Sequence, residues 1–102
     1  MSVLTITKDN FQKEVLENSK PVMLDFWASW CGPCRMVSPI IDQIAEERED
    51  ITVGKINVDE QPELAASFRV MSIPTIVVMK DGEVVKTTMG VQPKAKLLEL
   101  IP

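Results

Sequence analysis

The stretch Val22-Met23-Leu24-Asp25-Phe26-Trp27-Ala28-Ser29-Trp30-Cys31-Gly32-Pro33-Cys34 decides how this chain folds. Pro21 leads into an almost unbroken apolar run, Val22 to Trp27, the pattern of a strand covered on both faces in a parallel sheet. A short loop follows, and then Pro33, which suits a first helical turn because its missing N–H would have no partner there. From about Pro33 to Glu49, Val37, Ile40, Ile41, Ile44 and Ala45 recur as one apolar stripe at helical spacing. Pro39 lies inside that stripe, where it removes a hydrogen bond and is expected to kink the helix.

Working outward, Val3–Ile6 is a short β-branched strand. Thr7 is placed to cap a helix over about Lys8 to Glu17, with Phe11, Val15 and Leu16 on its apolar side. Ile51–Val58 reads as a third strand. Asp59 or Glu60 opens a short helix through Leu64, Ala65 and Phe68. Ile76–Lys80 and Glu83–Thr88 are two strands joined by Asp81-Gly82, a hairpin signal that makes them antiparallel. Gly90 and Pro93 precede a last helix, Lys94 to about Ile101. The order β-α-β-α-β-α-β-β-α predicts an α/β fold. Right-handed crossovers pair the early strands in parallel, the hairpin adds antiparallel strands, and helices cover both faces of the mixed sheet. No repeat or linker divides the chain, so residues 1–102 read as a single domain.

Of the 102 residues 45% are hydrophobic and 25% charged, ordinary for a globular protein. The net charge is −4 and Lys and Arg form no run, which argues against nucleic acid as a partner. Met1 to Asp9 lacks the basic and then long apolar segments of a secretory signal. No apolar run approaches the roughly 18 residues of a membrane span. The cytoplasm is the expected compartment and a monomer the expected state. Six methionines are dispersed, and Glu46 to Asp50 reads as a solvated helix end.

The chain has two cysteines and no histidine. A structural zinc site takes about four Cys and His ligands, so no metal is expected. A disulfide scaffold would need more bridges, and Cys–His or Ser–His catalysis lacks its base. Two cysteines three apart read as redox chemistry. At a helix N-terminus unsatisfied N–H groups and the helix dipole favour an anion, and so favour the Cys31 thiolate, the attacking species. Cys34, one turn on and deeper, is in reach to break a mixed disulfide. Gly32 and Pro33 tune the pair by letting the backbone turn and by fixing φ. The plainer alternative is two packed thiols without a redox role; the strand–loop–helix setting and the flanking tryptophans weigh against it.

Two further residues interrupt apolar strands. Asp25 is a carboxylate inside Leu24–Trp27, and burying one without a reason is costly. Lys55, between Gly54 and Ile56, breaks the third strand in the same way, and a neighbouring strand would bring it near Asp25. Burial should then raise the Asp25 pKa while Lys55 lowers it.

Trp27 to Cys34 resembles the active-site signature of the thioredoxin family. Ile73-Pro74-Thr75, Pro39, Asp25, Lys55 and Gly90 fall where that family has them, so the resemblance spans the whole chain. It implies a thioredoxin fold and a protein dithiol–disulfide oxidoreductase that reduces protein disulfides through a reversible Cys31–Cys34 disulfide. It makes Asp25 the buried acid/base for Cys34, with Lys55 beside it. It makes Pro74 a cis-proline packed against the cysteines. It assigns Trp30, Gly32, Ile73, Gly90 and Val91 to an apolar docking patch, with the Ile73 backbone pairing an extended substrate segment. It implies no bound cofactor, electrons from NADPH through a thioredoxin reductase, and disulfide-containing proteins as partners. Ser29, Arg35, Ser72 and the early end at Pro102 depart from the commonest family pattern and bear on partner choice. Two other functions fit the same residues: an oxidase or isomerase of an oxidising compartment, and a binding module with dispensable thiols.

Overall fold

The computed structural model describes residues 3–102; Met1 and Ser2, the start of the stretch read above for a signal, lie outside the described residues. Five strands, β1 (Leu4–Thr5), β2 (Val22–Trp27), β3 (Thr52–Asn57), β4 (Thr75–Lys80) and β5 (Glu83–Met89), form one sheet in the order β1-β3-β2-β4-β5. β3 runs parallel to β1 and to β2, while β4 is antiparallel to β2 and to β5. The α-helices are α1 (Gly32–Glu47), α2 (Pro62–Ser67) and α3 (Lys94–Leu98). The mixed α/β architecture expected from the sequence is borne out, and β3 sits between the two strands that precede it in the chain.

Alternation along the strands divides the core in two. On one face Met23, Val53, Ile76 and Val78 pack against Val37, Ile41 and Ile44 of α1 and Leu97 of α3. On the other, Leu24, Phe26, Ile56, Val77 and Met79 pack with Val15 and with Leu64 of α2. Asp25 shares the parity of Met23, and Lys55 that of Val53. Both therefore stand on the α1 face. α1 runs unbroken through Pro39.

The hairpin turn has Asp81 at φ 55° and Gly82 at φ 80°, the two positive angles that a two-residue turn of this hand requires. Three other segments differ from expectation. In place of an α-helix over 8–17 there is one π-helical turn, Gln12–Leu16, closed by the Glu17 N–H to the Gln12 carbonyl at 2.9 Å. Thr7 does not cap a helix: its hydroxyl accepts the Asp9 N–H (3.2 Å), and its own N–H donates to Asn10 Oδ1 (2.8 Å). The chain thus turns tightly over 7–10 before the helical turn starts. Asp59 and Glu60 do not open α2, because Asn57 Oδ1 accepts both their N–H groups (2.9 and 3.2 Å) in a side-chain turn. Gln61 becomes the N-cap and Pro62 the first helical residue. α3 stops at Leu98, since the Leu100 and Ile101 N–H groups reach back only three residues, to Leu97 and Leu98. Among the described residues no helix is long and apolar enough to cross a membrane.

Candidate active site

Cys31 is the N-cap of α1, with extended backbone angles (φ −92°, ψ 109°) and Pro33 in the first turn. Its sulfur accepts the Cys34 N–H at 3.2 Å, taking one of the helix's unpaired donors. Cys31 and Cys34 are joined as a disulfide, with their Cα atoms 5.3 Å apart. Both are nearly closed to solvent, 4% and 3% exposed. The expected difference in depth is therefore absent in the oxidised state. What separates the two sulfurs is the helix: Cys31 Sγ receives its N-terminal amide, and Cys34 Sγ does not. A Cβ at Gly32 would meet nothing within 4 Å. The turn needs no glycine there, and the residue leaves the surface beside the sulfurs open.

The Ile73–Pro74 peptide bond is cis. Ile73 packs on the small cluster of Ala28, Cys31 and Cys34. Its carbonyl oxygen lies 3.8 Å from Cys31 Sγ, a contact in the disulfide that a Cys31 thiol would turn into a hydrogen bond. The Gly90 N–H donates to the Pro74 carbonyl at 2.8 Å, and Gly90 has φ +82°, which favours glycine. Trp30 is 67% exposed, and its Nε1 donates to Asp59 Oδ2 at 2.9 Å. Trp30 and Ile73 line one groove of about 300 Å³ with Val58, Val70, Met71 and Ser72. Gly90 and Val91 lie outside that lining, at the end of β5, and Val91 is exposed. Trp27 is half-buried.

On the Cys34 side a second cavity, about 330 Å³, is lined by Asp25, Trp27, Ala28, Ser29, Cys34, Arg35, Ser38 and Lys55. Asp25 is 1% exposed, and its Oδ1 is buried with no hydrogen-bond partner. Loss of water pushes its pKa up to about 6 from the usual 3.8; Lys55 opposes the rise and Asp42 adds to it. Of the two opposing effects expected from the sequence, burial is the larger. Asp25 and Lys55 are register partners across β2 and β3. The Lys55 ammonium nevertheless donates to Ser38 Oγ (2.5 Å) and pairs with Asp42 Oδ1 at 3.1 Å.

Ser38, Asp42 and Met71 carry no site role in the sequence reading, and Asp59 figures there only as a helix opener. Ser38 and Asp42 stand four and eight residues after Cys34, a row legible from helical spacing. The Asp59–Trp30 bond joins residues 29 apart and had no local signal. Among the described residues no group of three or more His, Cys, Asp or Glu is placed to hold a metal ion.

The thioredoxin family model matches residues 2–102. A thioredoxin of Pyropia yezoensis is 53% identical over 98 residues, 95% of this chain and 92% of the relative. One of Mycobacterium tuberculosis is 49% identical over 98 residues, 95% of this chain and 84% of the relative. One of Alicyclobacillus acidocaldarius is 48% identical over 97 residues, 94% and 91% respectively.

Proposed function

This chain belongs to the thioredoxin family and is a dithiol–disulfide oxidoreductase acting through Cys31 and Cys34, and from that premise we propose that it works as a reductant of protein disulfides. Membership implies disulfide-containing substrates and a reductase partner in general. The observation that carries the direction of attack is the Cys34 N–H aimed at Cys31 Sγ at the start of α1.

In the reduced protein, that amide and the helix dipole stabilise Cys31 as a thiolate. The thiolate attacks one sulfur of a substrate disulfide, and the substrate's other sulfur leaves as a thiolate. A mixed disulfide now joins Cys31 to the substrate. The Cys34 thiol gives its proton to Asp25, whose raised pKa makes it a better base than an ordinary carboxylate while leaving it largely ionised at neutral pH. The Cys34 thiolate then attacks Cys31 Sγ and the second substrate sulfur leaves. Two electrons have moved to the substrate, and the Cys31–Cys34 disulfide described above results. Lys55 moderates the charge on Asp25, and Gly32, Pro33 and Pro74 shape the surroundings of the sulfurs.

Trp30, Ile73, Gly90 and Val91 form the docking surface, with the Ile73 backbone offered to an extended substrate segment. A thioredoxin reductase returns the two electrons, drawn from NADPH, and no cofactor resides on the chain. The protein acts as a monomer in the cytoplasm. A reducing compartment suits a chain whose two cysteines form a working pair and not a scaffold. A surface of net charge −4 without a Lys or Arg run has no use for nucleic acid.

The test is the redox equilibrium of the Cys31–Cys34 pair against dithiol buffers, followed by tryptophan fluorescence. A potential near or below about −250 mV is expected of a reductant, and one of about −120 to −180 mV would mark an oxidant or isomerase and overturn the proposal.

A further inference from the structure

Asp25 and Lys55 face each other in register on adjacent strands, and both stand on the α1 face. A buried carboxylate beside an ammonium ordinarily takes it as partner, because each ion offsets the other's lost hydration. Here it does not. The ammonium is held by Ser38 Oγ and Asp42 Oδ1 (2.5 and 3.1 Å), while Asp25 Oδ1 has no partner. The two acceptors lie four residues apart on α1, and Ser38 is four residues after Cys34. One row of the helix therefore carries the second cysteine and both ligands of the ammonium. The Asp42 side chain is 58% exposed and that of Lys55 21%, so the pair draws the cation toward the rim, away from the closed interior where Asp25 sits.

We infer that Ser38 and Asp42 are positioning residues that hold the Lys55 ammonium off Asp25 and leave that carboxylate without a direct cation beside Cys34. A direct ion pair would keep Asp25 ionised and make it a poor proton acceptor, since an opposite charge in contact lowers a carboxylate pKa by about 1–3 units. The other groups facing Asp25 do not take the place of Lys55. Arg35, on the cavity wall, donates through Nη2 to the Ser29 carbonyl at 2.9 Å. Asp42 is itself an anion, and β4 presents apolar Ile76 opposite Asp25. The inference rests on the reading of Asp25 as proton carrier for Cys34.

The experiment is a carboxyl ¹³C NMR titration of Asp25 in the oxidised full-length protein, as parent, S38A, S38T, D42N, S38A/D42N, K55M and S38A/K55M. S38A removes one acceptor and no charge, so it lowers the Asp25 midpoint only by letting Lys55 approach. The double variant S38A/D42N is expected to lower it further, by about 1 unit or more in all, part of that fall being the loss of the Asp42 charge itself. S38T keeps the hydroxyl and restores the parent value, and in the K55M background S38A has no effect. An unmoved midpoint in S38A, or an S38A effect that persists without Lys55, overturns the inference. The pH profile of release from a mixed disulfide at Cys31 separates the two readings. If the midpoint falls and the acid limb follows it, both stand. If the midpoint falls and the limb stays, the holding-off stands and the proton-carrier reading fails.

Discussion

The backbone amide of Cys34 points at the sulfur of Cys31 from 3.2 Å. This one bond makes two chemically identical residues unequal, because only Cys31 Sγ lies where the helix offers an unpaired donor. Replacing Cys34 with serine should therefore leave attack intact and trap the substrate as a mixed disulfide on Cys31. Replacing Cys31 with serine should abolish turnover and trap nothing. Intact-mass analysis after incubation with a disulfide-bonded protein reads both outcomes, and adduct formation on Cys34 of the Cys31→Ser protein would reverse the assignment.

Burial makes Asp25 a source of pH-dependent stability with an unusual sign. Its pKa stands at about 6 in the folded chain against 3.8 as the ordinary value, desolvation outweighing Lys55. The folded state thus binds this proton more tightly than the unfolded chain. The stabilisation that protonation supplies is complete below about pH 3.8 and is lost as pH rises through about 6. At pH 7 a charged carboxylate stays buried, so Asp25→Asn should be more stable than the parent by about 2–3 kcal/mol, from roughly two pKa units. The difference should shrink toward zero near pH 4. Urea unfolding at several pH values measures it, and an advantage independent of pH would show that the gain is not electrostatic.

Trp30 is two-thirds exposed, and its indole N–H is tied to Asp59. Asp59→Ala frees the ring without touching the sulfurs. A loss of roughly 1 kcal/mol of orientation should raise KM for a protein disulfide about fivefold and leave kcat unchanged. Turnover of a small disulfide that makes no contact with the ring should be unaffected. An equal loss for both substrates would mean that the bond supports the cysteines and not docking.

Gly54 lies where no side chain fits. A Cβ there would come within 2.6 Å of Ile6 Cγ1 and 3.2 Å of its Cδ1, and Ile6 is fully buried on that face. Gly54→Ala should cost about 1–3 kcal/mol by overpacking, seen as a lower denaturation midpoint with an unchanged slope. Part of that cost should disappear in an Ile6→Ala background, where the clashing atoms are gone. Additive effects of the two changes would place the strain elsewhere.

Much of this was legible in residue order alone. The run Val22–Trp27, the helical stripe of Val37, Ile41 and Ile44, and the Asp81-Gly82 turn are local patterns whose physics needs no distant partner. The Cys31–Cys34 pair is equally local, since one helical turn brings the residues together. Asp25 is legible too, as the one charge within Val22–Trp27. Sequence and structure part where short-range hydrogen bonds compete with helix formation. Asn57 captured the two amides expected to begin α2, and Thr7 with Asn10 closed a turn where an α-helix was expected. Helix propensity is a weak preference that one well-placed side-chain acceptor overrides.

The sequence by itself determined the strands, their order, the long helix after Cys31 and the redox pair, because these follow from spacing within a strand, a turn or one helical turn. Only the tertiary structure decided which partner each charged and polar side chain takes. Asp25 and Lys55 could have been paired from their strand positions, but α1 crosses above them and supplies Ser38 and Asp42 to the ammonium. Trp30 likewise takes its orientation from Asp59, 29 residues away. Periodicity is a property of neighbours in the chain. Competition among several acceptors for one donor is settled by where packed elements place their atoms, and that is decided only once the whole fold has closed.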